Sequence, residues 1–589
     1  MDQAKSFVDP RSGFNSVTMT FHSLRPPIDL PPEDTPISAA AYAFSLRLNS
    51  PCPDSVALIN SATGQRVSYS EFTRKTECLT SYLRSVIGLS KGDTAFILSP
   101  NLVQVPILYF SLLTLGVVIS PANPISTELE ISGLVQLCNP VIAFATSSTA
   151  HKLPTLRFKT IRLDSPEFDS MMISPVQRLD RVAVSQSDLA AIMYSSGTTG
   201  KVKGATLTHR NLMAVVAVSC ANRLERESPD LLLYTVPYFH VFGLSYCLKS
   251  VALSEAQVVM ERFDLRKMLR AVEEFRVTHV ALSPPVVVPM AKSDVIDGYD
   301  LSSLGGVTSG GAPLGKDVIA AFVARFPSVV FVQGYGLTEI AGGSFITAGH
   351  EESLHWGSAG RLAGGFEVKI VDPVTGDSLP PGKQGELWIK GPSVMKGYVG
   401  DPEATCATIV ADGWLRTGDL CYIDKEGFLF VTDRLKELIK YKGYQVPPAE
   451  LEQLLQSHPE IADAAVIPCP DEEAGEVPMA FVVRQPQSRL GGPEIMDFVA
   501  KQFCPLPCEP KPPCYVYDWN PCLPELQLIF YKQLRETPMD PDPHASVGHV
   551  APYKKIRRVA FVTSIPKSAA GKILRKDLRK LLPSSSSRL

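Results

Sequence analysis

Residues 195–201 read Ser195-Ser196-Gly197-Thr198-Thr199-Gly200-Lys201. Small and hydroxylated residues let a backbone fold tightly and aim N–H groups, hydroxyls and one ammonium at a single small volume. That is the chemistry of a polyphosphate cradle, and Lys203 brings a second cation close by. The spacing differs from GxxxxGK[ST], which requires Gly at 195, where Ser stands, and Ser or Thr at 202, where Val stands. A plain turn needs only a few such residues and gains nothing from the lysines. Other groups with chemical reach are Glu339 in GYGLTE, Asp419 in TGD, Lys572 after Gly571, and His240 in the almost uncharged VPYFHVFGL.

Strands and helices must position these groups. Residues 189–194 read as a strand leading into the hydroxyl run. From about Thr35 to Thr160, strand and helix signals alternate. Residues 69–86 have helical spacing, with Ser70 and Thr73 offering a start. No charged residue lies between 94 and 127. Punctuation breaks that stretch into a strand, a helix capped by Asn101 and running to Gly116, and a second strand. At ~1.5 Å per residue such a helix is too short to cross a bilayer. The alternation resumes after the hydroxyl run, with a helix at 264–276 and a strand at 277–283. It argues for parallel sheets covered by helices on both faces.

The pattern changes near Gly357. Short strands separated by PVTG and PPGKQG turns point to an antiparallel sheet or small distorted barrel, ending at 413–419. Residues 424–433 read as a hairpin turning at Lys425-Glu426-Gly427. Pro447 and Pro448 then precede a helix at 449–457, a strand at AAVIPCP, and a final strand, loop and basic helix. Residues 1–34, with Pro26, Pro27, Pro31 and Pro32, read as an extended N-terminal arm.

At 589 residues the chain is multidomain, and its composition is ordinary for a globular protein. A net charge of −3 makes no electrostatic case for nucleic acid or membrane. Twelve cysteines without a CxxC pair, behind a polar N-terminus, read as reduced thiols.

Residues 503–549 interrupt this order with ten prolines and four cysteines. A loop this long inside a compact domain is either functional or disordered. Its excision would rejoin the helix at 495–502 to the loop and strand at 550–561, so the segment reads as a retained intron or gene-model error, with a genuine insert as the alternative. Cys504, Cys508, Cys514 and Cys522 match no standard zinc spacing.

The hydroxyl run, GYGLTE, TGD and the Gly571-Lys572 context together resemble the acyl-adenylate-forming enzymes, which include acyl-CoA synthetases, firefly luciferase and peptide-synthetase adenylation domains. Within that group the chain is most similar to plant 4-coumarate–CoA ligase-like peroxisomal enzymes, from about Thr35 to its last residues. The resemblance implies an α/β fold. A large N-terminal domain (35–433) would hold two parallel α/β subdomains and a small distorted β-barrel, and a mobile smaller α+β C-terminal domain (434–589) would follow. It also implies ATP, Mg²⁺ and coenzyme A as reactants, a small carboxylic acid as partner, and no nucleic acid or membrane span.

Adenylation needs a carboxylate to attack the α-phosphate in line, neutralisation of phosphate charge, and departure of pyrophosphate. By resemblance Ser195 to Lys201 hold phosphates, and Gly311, Gln333, Gly334 and Tyr335 border the nucleotide. Thr338 touches the α-phosphate, Glu339 holds Mg²⁺, Asp419 takes the ribose hydroxyls, and Arg434 reaches the ribose or phosphate. Lys572 bridges the acid and the α-phosphate, and His240 lies beside the carboxylate. Lys436 matches the hinge residue about which the C-terminal domain turns between half-reactions. Lys440 and Gln445 serve the first pose, while Lys442 and Gly443 face CoA with Arg262.

The acyl pocket would be lined by Val241, Phe242, Ser245, Gly310, Gly311, Gly336, Gly343 and Ser344. Coumarate ligases typically continue GYGLTE with Ala-Gly-Pro-Val, and here Gly343 and Ser344 replace the Pro-Val pair. An aliphatic, jasmonate-precursor or less substituted aromatic acid is therefore expected. Ser587-Arg588-Leu589 is a variant of the SKL address and implies a peroxisomal import receptor. Two alternatives remain open at this stage: an adenylating enzyme with a non-CoA acceptor, as in luciferase, and an inactive splice form that only binds.

Overall fold

The computed structural model describes residues 7–47, 54–176, 180–196, 202–222, 230–312, 314–441, 444–471, 474–502, 515–518, 529–532, 555–568 and 571–582. The chain divides into two compact units. One comprises Met1–Gly311, Val323–Thr417 and Tyr422–Phe430; the other comprises Ala312–Phe322, Gly418–Cys421 and Val431–Leu589.

The first unit holds two mainly parallel sheets. In one, the order is Gly397–Tyr398, Val202–Thr208, Leu189–Ser196, Val118–Pro121, Thr94–Leu98, Ile142–Ala145 and Ile161–Arg162. The strands from Leu189–Ser196 onward run parallel, and the first two are antiparallel additions. The central strands are buried along their length, which is why they read as continuous apolar runs. The other sheet is nine-stranded, and its parallel core runs through Val330–Leu337, Gly306–Ser309, His279–Leu282, Leu231–Tyr234, Ala256–Val259 and Val56–Asn60.

The uncharged stretch is interior, not membrane-spanning. Helix Gln104–Leu115 is buried on nearly every side, and no described helix is long and apolar enough to cross a membrane. Its C-cap is Gly116 in the left-handed region, as the spacing predicts. Asn101 is not its N-cap. Its side chain instead donates to the Val236 carbonyl and accepts from the Tyr238 amide, because a buried amide satisfies distant backbone as readily as local backbone. The helix expected from Ser70 begins at Tyr69, capped by Ser68 in a reciprocal box with Glu71, and passes at Leu83 into one wider turn.

The antiparallel sheet expected after Gly357 is eight-stranded. Its hairpin turns where Asp424 Oδ1 accepts from the Glu426 and Phe428 amides, each at 2.9 Å. Residues 7–34 are more than an arm: Phe14–Asn15 pairs with Thr20–His22, which joins Glu367–Val371 in this sheet. Buried Phe21 anchors the addition, a single apolar residue too sparse to show as periodicity.

The second unit is built on a five-stranded sheet of Tyr444–Val446, Ile439–Tyr441, Gly475–Arg484, Ile461–Asp471 and Arg558–Phe561. Helices Pro448–Ser457 and Gly492–Gln502 accompany it. Leu451, Leu455, Val466, Val482, Ile495 and Val559 form its core. Within 503–549, strands Tyr515–Asp518 and Ile529–Lys532 pair with each other. The four cysteines of that segment lie outside the described residues.

Candidate active site

Strand Leu189–Ser196 pairs antiparallel with Val202–Thr208, so the hydroxyl run joins two adjacent strands. Ser195 is described; the Ser196 side chain and Gly197, Thr198, Thr199, Gly200 and Lys201 lie outside the described residues. A Cβ on Gly204, opposite Tyr194, would lie 2.7 Å from Val399 Cγ1 and 2.9 Å from Ile192 Cγ2, so glycine is needed for the close packing.

The GYGLTE segment ends the strand Val330–Leu337. Thr338 and Glu339 occupy a single 3₁₀ turn, and the chain doubles back as Gly342–Ile346. A Cβ on Gly336 would sit 2.1 Å from the Gly342 carbonyl oxygen, so no other residue permits this reversal. The turn presents Glu339 to the hydroxyl run. Its Oε1 accepts Ser195 Oγ–H at 2.9 Å and Tyr398 Oη–H at 2.9 Å. Gln333 donates its amide to Thr347 Oγ1 and stands opposite Ser309, after which come Gly310 and Gly311, the latter at φ +90°. The Tyr335 ring packs edge-on to Phe345.

His240 caps helix Val241–Ala252, its Nδ1 accepting the Phe242 amide at 3.2 Å. Desolvation lowers its pKa to about 4, so the imidazole is neutral at pH 7. Val241 is buried, and Phe242 meets the Tyr246 ring edge-on. Ser245 Oγ donates to the Val241 and Ala341 carbonyls, tying this helix to the turn that carries Glu339. Gly343 is exposed, whereas Ser344 is fully buried with its hydroxyl unpartnered. Arg262 stands exposed beyond strand Ala256–Val259, with no bond to these groups among the described residues.

The second unit gathers another set. Asp419 is 3 % exposed, and its Oδ1 lies 3.2 Å from Arg434 Nε. The neighbouring Asp433 carboxylate accepts the Arg434 and Ala449 amides, while desolvation pushes its pKa up to about 7. Lys436 follows, exposed. Lys440 donates its amide to Glu476 and stands opposite Gln445 in a two-strand turn. Lys442, Gly443 and the Gln445 side chain lie outside the described residues, as do Ser587, Arg588 and Leu589. Lys572 Nζ lies 3.9 Å from Glu437 Oε1, and Glu437 also pairs with Arg575, which pairs with buried Glu452. Burial first, and Arg434 second, lower the pKa of Lys572, while Glu437 and Asp419 oppose them. Gly571 at φ +81° lets the chain turn back so that the Lys572 amide reaches Ser568 Oγ.

One residue in this constellation escapes sequence reasoning. Tyr398 lies in the short strand Gly397–Tyr398 and reaches Glu339 from 59 residues away. Its only local signal is an aromatic after glycine in MKGY.

Comparison with known proteins identifies the family. A family model described as AMP-binding enzyme matches residues 47–399, and one for the AMP-binding enzyme C-terminal domain matches residues 450–517. The chain belongs to the AMP-binding enzyme family, and it is an acid–thiol ligase of the AMP-forming, 4-coumarate–CoA ligase-like kind. It is 47% identical to 4-coumarate–CoA ligase-like 9 of Arabidopsis thaliana, covering 98% of this chain and 97% of that one. It is 42% identical to peroxisomal OPC-8:0-CoA ligase 1 of the same plant, covering 98% and 99%. Among solved structures it resembles o-succinylbenzoate coenzyme A synthetase from Bacillus subtilis in complex with ATP and magnesium ion, with a TM-score of 0.72, 25% identity, and coverage of 91% and 99%.

Proposed function

We propose that this ligase converts a carboxylic acid of aliphatic, jasmonate-precursor or phenylpropanoid type into its CoA thioester. The acid oxygen attacks the α-phosphorus of ATP and pyrophosphate leaves, giving the acyl-adenylate. The CoA sulfur then attacks the acyl carbonyl, losing its proton, and AMP leaves. The observation that carries this reading is the meeting of Ser195 and Glu339, 144 residues apart in sequence, at a 2.9 Å hydrogen bond.

The donor set fits Mg²⁺. Magnesium takes one or two carboxylates and completes its shell with water and substrate phosphates. Glu339 offers one hard carboxylate, with Oε1 held by two hydroxyls. When bound, the ion neutralises charge on the departing pyrophosphate. The rest falls to the chain. The hydroxyl run and Thr338 bind phosphates. Gly311, Gln333, Gly334 and Tyr335 border the nucleotide, and Asp419 and Arg434 hold the ribose. Lys572 places an ammonium where charge develops at the α-phosphate. Neutral His240 lies beside the substrate carboxylate, and Val241, Phe242, Ser245, Gly310, Gly336, Gly343 and Ser344 shape the acyl site. Lys436 is the hinge, Lys440 and Gln445 serve adenylation, and Arg262, Lys442 and Gly443 meet CoA. The terminal Ser587-Arg588-Leu589 directs the enzyme to the peroxisome, in keeping with the peroxisomal relative.

The test is pyrophosphate release against a panel of medium-chain, jasmonate-precursor and cinnamic acids, with and without CoA. Thioester formation with an acid of these classes is expected. Turnover of none of the panel's acids would overturn the substrate class, and multiple turnovers to a released acyl product without CoA would overturn the reaction.

A further inference from the structure

Tyr398 sits where three parts of the first unit converge. Its strand pairs antiparallel with the strand leaving the hydroxyl run, with Ala205 opposite Tyr398 and Thr206 opposite Gly397. The segment is bolted in place: Lys396 N–H donates to the Thr206 carbonyl, Val399 N–H to the Gly204 carbonyl, and Thr206 Oγ–H to the Gly397 carbonyl at 2.7 Å. Asn211 Nδ2 donates to the Pro392 and Val394 carbonyls. The Met395 amide donates to the backbone carbonyl of Glu339 at 2.8 Å, so backbone and side chain of Glu339 are both gripped by residues 395–398. Lys203 Nζ lies 4.5 Å from the centre of the Tyr398 ring, fixing the ring against the same strand.

We propose that Tyr398 is a positioning residue for the metal carboxylate. With Ser195 it saturates Oε1 of Glu339 and leaves Oε2 as the oxygen that would take the ion. This rests on the reading of Glu339 as the magnesium ligand. A ligating carboxylate left free rotates about its last torsion, and each rotamer aims a different oxygen at the ion. Two O–H donors on one oxygen remove that freedom, and outer-shell partners of this kind set both ligand orientation and metal affinity. Among the described residues no donor binds Oε2.

The experiment measures Mn²⁺ binding to the full chain by electron paramagnetic resonance, with saturating α,β-methylene-ATP as a non-reacting nucleotide. Tyr398→Phe keeps the ring beneath Lys203 and removes only the hydroxyl. The expected result is a Mn²⁺ dissociation constant raised about 10-fold, with unchanged metal-free nucleotide affinity and melting temperature. Glu339→Gln is measured beside it and weakens Mn²⁺ at least as much. If Glu339→Gln weakens Mn²⁺ and Tyr398→Phe does not, the positioning role is wrong. If Glu339→Gln leaves Mn²⁺ binding intact, the ligand reading of Glu339 has failed and takes the proposal with it. If Tyr398→Phe loses metal-free nucleotide binding or melts early, the hydroxyl is structural and the proposal is again overturned.

Discussion

Arg434 Nε stands 3.2 Å from Asp419 Oδ1, and the aspartate is almost wholly buried. A carboxylate is an acceptor with several lone-pair sites, which suits the proposed grip on the ribose hydroxyls. Asp419→Ala removes those acceptors and leaves Arg434 without this partner. Hydrogen bonds to a charged group are worth about 1.5–3 kcal/mol. The KM for ATP is therefore expected to rise about 10- to 100-fold, with the KM for the acid little changed, and steady-state pyrophosphate release checks it. An unchanged KM for ATP would remove Asp419 from the ribose site.

Lys572 and Glu437 give a pH prediction. Burial and Arg434 lower the pKa of Lys572, and Glu437 opposes them. If the ammonium is the working form, adenylation declines on the alkaline side, at a lower pH than a free lysine would set. Glu437→Gln removes an opposing charge and moves that limb to still lower pH. Lys572→Ala should reduce adenylation about 10²- to 10³-fold, the usual loss for one charge-stabilising group. Thioester formation from supplied acyl-adenylate should survive. Equal loss in both half-reactions would contradict the assigned role.

His209 predicts the acid limit of stability. It is fully buried, its Nδ1 accepting the Ala39 amide at 3.1 Å, and desolvation lowers its pKa from 6.5 to about 4. The folded state therefore holds this imidazole neutral while the unfolded chain protonates it. Between those two values the unfolded state binds more protons, so stability falls as pH falls. The full effect is on the order of 3 kcal/mol. It is complete near pH 4 and absent above about pH 7. Urea unfolding at pH 7 and pH 5 checks it. His209→Gln should be weaker at pH 7 yet show a smaller decline.

The segment 503–549 carries its own expectation. Helix Gly492–Gln502 is the crossover between Gly475–Arg484 and the parallel strand Arg558–Phe561. A helix-to-strand connection needs only about 2–6 residues, and residues 550–557 already supply that length. A chain lacking 503–549 should therefore fold and release pyrophosphate at least as fast as the full chain. A collapse of the melting temperature on deletion would show that the second unit needs the segment to fold.

Much of this was legible in the residues, and the limits have physical causes. The strand entering the hydroxyl run, the helix ending at Gly116 and the turn at Gly427 are local, set by periodicity or by one residue's torsions. GYGLTE was readable by its resemblance to the family's motif, and the structure shows why its second glycine is needed: Gly336 admits no side chain. The carboxylate's neighbours were not readable. Ser195 and Tyr398 meet Glu339 from 144 and 59 residues away, where the seven-stranded sheet packs against the turn that follows Val330–Leu337, a contact that no local pattern encodes. Ser68 in place of Ser70 is a competition between two nearby hydroxyls, decided by which one precedes the first helical residue. The N-terminal strands depend on a pairing with Glu367–Val371, formed only once the sheet exists.

The central claim is that an acyl-adenylate forms before CoA acts. The most direct measurement mixes enzyme, ATP, Mg²⁺ and the best acid of the panel without CoA, quenches, and weighs the products by mass spectrometry. The account predicts enzyme-bound acyl-AMP in near-stoichiometric amount, discharged to acyl-CoA and AMP within one turnover of adding CoA. ADP and phosphate as products, or acyl-CoA formed with no acyl-AMP at any time, would contradict it.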